Sequence, residues 1–157
     1  MESCILKSPL GYVKIVGDIS GISTVAVLNS ENRETDIIPT VLEDCAIQLK
    51  EYFEGKRKKF TLKLNAQGTV FQKVIWELLQ EVPYGKTLSY LQLSKRLGDT
   101  KAIRATANAI GKNPLWIIVP CHRIIGSDGR LTGYANGLYR KQWLIAHESP
   151  HPQLSLF

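Results

Sequence analysis

The stretch that carries the most information is Ile117-Ile118-Val119-Pro120-Cys121-His122-Arg123-Ile124-Ile125. Pro120 has no N–H for a β-ladder, so we expect it to end a buried strand formed by the apolar residues before it. Cys121 would then lie at the rim of a cavity, where His122 and Arg123 are expected to lower the pKa of its thiol and make it a nucleophile. A lone cysteine in an apolar run is more often an inert core residue, but its two basic neighbours favour the reactive interpretation.

The composition narrows the class of protein. A chain of 157 residues with 44% hydrophobic content suits one domain, or two small domains sharing a core. The net charge of +6 favours an anionic partner, although only weakly. No apolar run approaches the roughly 20 residues of a membrane span, so we expect a cytoplasmic or nucleoid-associated protein without membrane contact. We also expect a monomer.

The cysteines and histidines do not predict a disulfide framework or a metal site. The chain has three cysteines, Cys4, Cys45 and Cys121, and an odd number of widely spaced cysteines argues against a disulfide framework. The three histidines show no paired spacing with the cysteines, so a structural zinc site is not expected. We interpret Cys4 and Cys45 as packing residues.

The first 65 residues predict a small domain of strands and one helix. Short apolar or alternating runs at 4–6, 12–17 and 22–28 are typical of strands joined by tight turns. Residues 39–54 follow helical spacing and precede Gly55. The basic run 56–59 indicates a solvated loop, with DNA contact as the alternative.

Residues 69–148 predict a second, mostly helical domain, so the expected fold mixes α and β structure (α+β). A helix at 69–81 has Thr69 as its N-cap, and two shorter helices at 89–97 and 101–112 flank a turn at Gly98. This is the helix-turn-helix pattern, which is weak evidence by itself. The second helix is poor in bulky side chains, which suits close approach to a partner or, alternatively, tight packing on another helix.

Motifs between residues 71 and 148 resemble the O6-alkylguanine-DNA alkyltransferases, the methylated-DNA–protein-cysteine methyltransferases. The matching stretches are 82–86, Ser89-Tyr90, Ile103-Arg104-Ala105, Asn113-Pro114, Pro120-Cys121-His122-Arg123, 129–134 and 141–148. We therefore expect an N-terminal domain at 1–65, an alkyltransferase domain at 69–148 with a helix-turn-helix and an active-site loop, and a tail at 149–157.

The resemblance implies DNA repair without metal or cofactor. The protein would flip O6-alkylguanine, or less readily O4-alkylthymine, out of duplex DNA and move the alkyl group to Cys121 in one turnover. His122 would polarise the thiol through water, and Glu148 would orient His122. The alternative for Glu148 is an ordinary surface carboxylate.

The resemblance also assigns a base pocket and a DNA-binding face. The pocket residues would be Tyr90, Ile110, Asn113, Trp116, Tyr134, Ala135 and Lys141. Arg104 would fill the gap in the base stack, Ala105 and Ala107 would face the minor groove, and Arg123 would face phosphate or be structural. Ordinary alternatives are a solvated Arg104, a half-buried Tyr90 and a turn-forming Asn113. Trp116 and Ala135 depart from the residues many members carry, which leaves the range of alkyl groups open.

The last five residues resemble the bacterial sliding-clamp-binding pentapeptide. The side chains that carry this resemblance are Gln153, Leu154, Leu156 and Phe157. Prolines at 150 and 152 end the preceding helix and extend the chain. The alternative is a tail that docks on its own domain.

Three other classes of protein share part of this pattern. A lesion-recognition relative that does not transfer the alkyl group would lack the cysteine. A helix-turn-helix transcription factor would not need Pro-Cys-His-Arg, and would want more polar side chains than Ala105, Ala107 and Ala109. A cysteine hydrolase would leave the DNA-binding helices unexplained.

Overall fold

A computed structural model describes residues 1–127, 129 and 133–150. They form two compact units, one of residues 1–67 with 114–118, and one of 68–113 with the described residues from Val119 onward. Residues 114–118, which the sequence places in the second domain, thus cluster with the first. No helix in the described ranges is long and apolar enough to cross a membrane.

The first unit is built on a three-stranded antiparallel meander. Its strands, in order, are β1 (Glu2–Ser8), β2 (Gly11–Asp18) and β3 (Gly21–Val27). Along β2, Val13 and Ile15 are buried while Lys14 is exposed, the alternation of a sheet with one covered face. The three predicted strands are therefore confirmed: β1 and β2 are longer than their apolar runs, and β3 has the predicted length but begins one residue earlier.

One helix of the first unit contributes several residues to its core. After a short 3-10 turn at Thr40–Leu42, helix α1 (Glu43–Phe53) buries Cys45, Leu49 and Tyr52. Cys4 of β1 is buried in the same unit, so both cysteines of this unit are free, enclosed thiols. Their placement agrees with the packing role expected for them.

The predicted strand before Pro120 is wrong. Residues 117–119 are buried, but they form turns, and only Leu115 makes a single parallel bridge to Val25 of β3. The N–H of Ile118 donates to the carbonyl of Trp116 two residues back, which prevents an extended ladder. A short β-branched run predicts burial reliably but cannot separate a buried strand from a buried turn.

The second unit is mostly helical. It contains α2 (Val70–Gln80), β4 (Leu88–Ser89), α3 (Tyr90–Leu97), α4 (Ile103–Gly111), β5 (Ile124–Ile125) and α5 (Leu138–Glu148). Strand β4 pairs in parallel with β5, so Leu88 lies opposite Ile124. This short ladder joins the start of α3 to the end of the Cys-His-Arg segment.

Local capping explains where the helices begin and end. Thr69 and Gln72 form a capping box before α2, and Ser89 with Gln92 does the same for α3. Gly98 ends α3 in the left-handed conformation, at φ 91°. A 3-10 turn at Thr100–Ala102 leads into α4, so two short helices flank the turn at Gly98, which is consistent with the predicted pattern.

Candidate active site

Cys121 opens a single 3-10 turn, Cys121–Arg123, immediately after Pro120. Only 6% of the residue is exposed, and its Sγ lies 4.0 Å from Oη of Tyr134. The turn leads directly into β5, so the β4–β5 ladder fixes its C-terminal side.

The electrostatic surroundings of Cys121 differ from the prediction. Burial raises the pKa of the thiol, while hydrogen bonds with Asn113 and Tyr134 and the charge of Lys141 act in the opposite direction. The expected lowering by His122 and Arg123 is wrong, because both of those side chains bind Glu148. The resting cysteine is therefore a protonated thiol, which needs a base before it can act as a nucleophile.

His122, Glu148 and Arg123 form a buried cluster. Nε2 of His122 lies 2.7 Å from Oε2 of Glu148. Arg123 donates from Nε to Oε1 at 2.8 Å and from Nη2 to Oε2 at 3.0 Å, a two-pronged pairing, and donates from Nη1 to the Val82 carbonyl at 2.6 Å. Both carboxylate oxygens of Glu148 are thus occupied.

The cluster fixes the protonation of its members. Burial opposes ionisation of Glu148, but the pKa of Glu148 lies below its usual range because His122 and Arg123 hold the carboxylate. Burial lowers the pKa of His122, so its ring is neutral, although Glu148 draws it the other way. An ionised carboxylate only accepts, hence Nε2 carries the proton and Nδ1 is the basic nitrogen. Nδ1 is buried and makes no hydrogen bond to any described residue.

Lys141 supplies a positive charge from α5. It is fully buried, with Nζ 5.8 Å from the ring centroid of Tyr134 and 6.0 Å from that of Tyr90. Burial lowers the pKa of Lys141 to about 8, and Cys121 counteracts part of that shift. The ammonium is thus charged at neutral pH, but it loses its proton at a lower pH than an ordinary lysine.

A pocket of about 610 Å³ opens over the thiol. Its lining residues, all in the second unit, are Tyr90, Ala107, Ile110, Gly111, Asn113, Cys121, Gly133, Tyr134, Ala135 and Asn136. The structure thus gathers Tyr90, Ile110, Asn113, Tyr134 and Ala135, which the sequence assigned to a base pocket. Trp116 does not line it. That ring is buried in the first unit, 6.2 Å from the ring of Phe53.

Asn113 links the end of α4 to the segment before the cysteine. Its Nδ2 donates to the Val119 carbonyl at 2.8 Å. The hydrogen bond closes a loop over the intervening residues, and Asn113 also lines the pocket. One side chain therefore contacts both the nucleophile's segment and the cavity.

Helix α4 presents an open face made of small side chains. Arg104, Ala105 and Ala107 are exposed, whereas Thr106 and Ala109 are buried. Ala107 also lines the pocket, so the exposed face of α4 continues to the pocket rim. Arg104 and Ala105 do not line it within the described residues.

Sequence reasoning missed two supporting side chains. Tyr84 lies with its ring 5.8 Å from the Arg123 guanidinium and donates its hydroxyl to the His147 carbonyl at 3.4 Å. Arg140, 5% exposed, donates to the Asn136 carbonyl at 3.1 Å and so supports the pocket loop. Tyr84 belongs to a motif already noted in the sequence, but Arg140 had no sequence signal.

Within the described ranges, no group of three His, Cys, Asp or Glu side chains is arranged to hold a metal ion. The tail residues Gln153, Leu154, Leu156 and Phe157 lie outside the described residues.

Two family descriptions match nearly the whole chain. Residues 70–150 match the 6-O-methylguanine DNA methyltransferase DNA-binding domain, and residues 3–66 match the ribonuclease-like domain of the same family. A methylated-DNA–protein-cysteine methyltransferase of Methanosarcina acetivorans is 40% identical over 154 residues, covering 94% of this chain and 98% of that one. The protein of the same name from Mycolicibacterium paratuberculosis is 44% identical over 155 residues, covering 96% of this chain and 94% of that one.

Solved structures agree with the sequence matches. The Mycobacterium tuberculosis O6-methylguanine methyltransferase has a TM-score of 0.81 and 36% identity, covering 92% of this chain and 90% of its own. A structure of the M. tuberculosis protein in complex with DNA gives a TM-score of 0.83 and 36% identity, with 95% of both chains covered. This fold and buried cysteine site define a DNA alkyltransferase architecture. The chain belongs to the 6-O-methylguanine-DNA methyltransferase family.

Proposed function

We propose that Cys121 is the residue through which this chain performs its family's reaction, repair of alkylated DNA by transfer to its own cysteine. The observation that carries the assignment is a buried thiol at the wall of a base-sized pocket, beside a His-Glu-Arg cluster. The thiolate attacks the alkyl carbon, the C–S bond forms, and the bond to guanine O6 breaks. The electron pair goes to the guanine, which takes up the equivalent of the proton that left the thiol, so atoms and charge balance.

His122 is the base that makes the thiolate. Its neutral Nδ1 accepts the thiol proton, directly or through a water molecule, and the Glu148 carboxylate stabilises the imidazolium that results. Arg123 keeps Glu148 ionised and in position, so it is a positioning residue in this scheme.

Three further side chains stabilise the thiolate once it forms. Asn113 and Tyr134 hydrogen-bond to the sulfur, and the Lys141 ammonium lowers the energy of the negative charge. Burial otherwise disfavours that charge, so these contacts offset part of its cost.

The second unit is also the proposed DNA-binding part. Residues 68–157 carry eleven Lys and Arg against five Asp and Glu, so they hold the entire net charge of +6. Helix α4 would enter the minor groove with Ala105 and Ala107, and Arg104 would occupy the gap left by a flipped base. Tyr90 would steer the extruded nucleotide into the pocket.

The substrate range proposed is O6-alkylguanine, with O4-alkylthymine less favoured. Ile110 and Ala135 would wall the base. Lys141, near the Tyr134 ring and the Cys121 thiol, would hold the loop and the thiol together. Trp116 is not needed for this pocket. We also propose that the protein acts once. The alkylated cysteine is a stable thioether, and the proposed site includes no second thiol that could remove the alkyl group. A cytoplasmic monomer remains our expectation.

The test of this assignment is Cys121→Ala with an O6-methylguanine duplex. We expect transfer to be abolished and DNA affinity to stay within a few-fold of the parent, since only the nucleophile is removed. Retained transfer would contradict the assignment. A hydrolase acting through Cys121 would instead release methanol over many turnovers, and a lesion-recognition protein would bind without transfer in both proteins.

We also propose a partner for the tail, a bacterial sliding clamp bound through Gln153, Leu154, Leu156 and Phe157. A short apolar peptide of this kind should bind at about micromolar affinity, or about −8 kcal/mol. Tethering would raise the concentration of the repair protein at newly copied DNA. Titration against purified clamp should show binding by the full chain and none by a chain ending at Pro152. Equal behaviour of the two chains would mean a tail that docks on its own domain.

A further inference from the structure

Ile117 adopts a backbone conformation that its side chain disfavours. Its φ is 71°, and it is the one non-glycine residue with positive φ among those the structure describes. A β-branched side chain in the left-handed region is a genuine outlier, because its Cβ crowds the backbone. Such outliers persist only where the surrounding structure fixes them.

The conformation forms part of a specific turn. The N–H of Ile118 donates to the Trp116 carbonyl at 2.8 Å, so Ile117 is the centre of a three-residue γ-turn in its rarer, strained form. A second three-residue turn follows at Pro120, with φ −80° and ψ 67°, where Cys121 N–H donates to the Val119 carbonyl at 2.8 Å. Two consecutive tight turns thus lead directly to the nucleophile.

Hydrogen bonds hold the chain on both sides of Ile117. On the N-terminal side, Val25 N–H donates to the Pro114 carbonyl at 2.9 Å, and Trp116 N–H donates to the Val25 carbonyl at 3.0 Å. On the C-terminal side, Asn113 donates to the Val119 carbonyl at 2.8 Å. The side chain of Ile117 is itself 1% exposed. The surrounding structure therefore over-determines the turn.

We infer that Ile117 is a positioning residue for Cys121, and that its buried side chain holds the strained turn which fixes the thiol against the pocket. This inference depends on the proposed role of Cys121. A turn that relaxed to negative φ would redirect the next four residues, and with them the sulfur. A displacement of about 1 Å at a reacting atom is enough to slow a reaction about a hundredfold.

Alanine and glycine separate this role from ordinary packing. Both remove the buried side chain, but only glycine adopts φ 71° without strain. Ile117→Ala should relax the turn, slow methyl transfer by at least about tenfold, and shift the pH profile of thiol alkylation by iodoacetamide toward that of an exposed thiol. Ile117→Gly should transfer faster than Ile117→Ala and keep the parent pH profile.

The neighbouring residue provides the matched control. Ile118 is also buried, and its φ is not positive. There the usual order should hold, with Ile118→Ala more stable than Ile118→Gly because glycine is more flexible when unfolded. Equal loss of transfer in the two Ile117 variants, or an alanine variant as fast as the parent, would overturn the inference.

Two further measurements keep the outcome interpretable. If the truncated variants do not fold, NMR couplings that report the sign of φ at Ile117 in the parent protein decide the matter, and a negative φ would overturn the inference. Methyl transfer by the Ile118 variants tests separately whether Cys121 is the methyl acceptor. If the parent itself places no methyl on Cys121, the proposed function fails, and not the turn.

Discussion

The two units of the molecule differ in where they place charge. Residues 1–67 carry nine Lys and Arg and nine Asp and Glu, so this part is neutral, whereas residues 68–157 hold the whole net charge of +6. Among the described residues, the first unit buries no Lys, Arg, Asp, Glu or His. The second buries five of them: His122, Arg123, Arg140, Lys141 and Glu148. Burying such groups costs stability unless each is paired, so the contrast separates a unit built as an apolar core from one built around a reaction.

The largest effect expected within this contrast comes from breaking the buried ion pair. Glu148→Gln keeps the size of the side chain but leaves the Arg123 guanidinium buried without a counter-charge. We expect a loss of about 3–5 kcal/mol in the free energy of unfolding, measured by denaturant titration. The matched control is Glu51→Gln in the first unit, where the pair with Arg57 is partly exposed and should contribute about 0–1 kcal/mol. Equal losses of unfolding free energy in the two variants would mean that burial does not increase the cost of breaking the ion pair.

Lys141 predicts a pH dependence of stability. Its pKa falls from 10.5 when unfolded to about 8 in the fold, so the unfolded chain binds more protons between these values. Stability should therefore rise with pH across this interval, by about 3 kcal/mol for this residue. Because Lys141 and Cys121 affect each other's pKa, Lys141→Met is compared with its parent in a Cys121→Ala background, and the difference between the two pH profiles then isolates the lysine. A constant difference from pH 7 to 11 would contradict the assigned burial effect.

Arg104 tests the proposed flipping step. Arg104→Ala should slow repair of a methylated duplex by about tenfold, or about 1.4 kcal/mol, because only a stacked base needs to be extruded. Dealkylation of free O6-methylguanine should change little. The control is Arg33→Ala in the neutral first unit, where Arg33 is exposed and near Asp36. Equal slowing on both substrates would argue for a general structural role of Arg104.

The smallest expected effect concerns the basic run of the first unit. Lys58→Ala with Lys59→Ala should change DNA affinity less than about twofold, with the salt dependence intact, because lysines that meet no phosphate release no counterions. Lys101→Ala and Lys112→Ala, which flank α4 in the second unit, should weaken binding and reduce the salt slope. If the Lys58→Ala and Lys59→Ala variant shows a weaker salt dependence of DNA affinity, the neutral first unit also contacts DNA. That result would contradict the assignment of DNA binding to the second unit.

The sequence predicted what local chemistry determines. The N-cap at Thr69, the turn at Gly98 and the helical spacing of apolar residues located α2, α3 and α4 closely. The motif residues also led to the pocket, because Tyr90, Asn113 and Tyr134 all line it.

Non-local packing determined the remainder. The turn at Ile117 depends on two hydrogen bonds that flank it. Trp116 bonds to the backbone of Val25, which is distant in the chain, and Val119 bonds to the side chain of Asn113. The raised pKa of the Cys121 thiol depends on burial, which its basic neighbours in sequence do not indicate. Likewise, Trp116 packs beside Phe53 and Arg140 supports a loop, contacts that no spacing rule predicts.

The central claim is that the reactive thiol lies in the charged unit and the other two thiols do not react. The most direct measurement is mass spectrometry of peptides after reaction with an excess of O6-methylguanine duplex. We predict one methyl group per chain, on the peptide that contains Cys121, with Cys4 and Cys45 unmodified. Methyl on Cys4 or Cys45, or more than one repaired base per chain, would contradict the account.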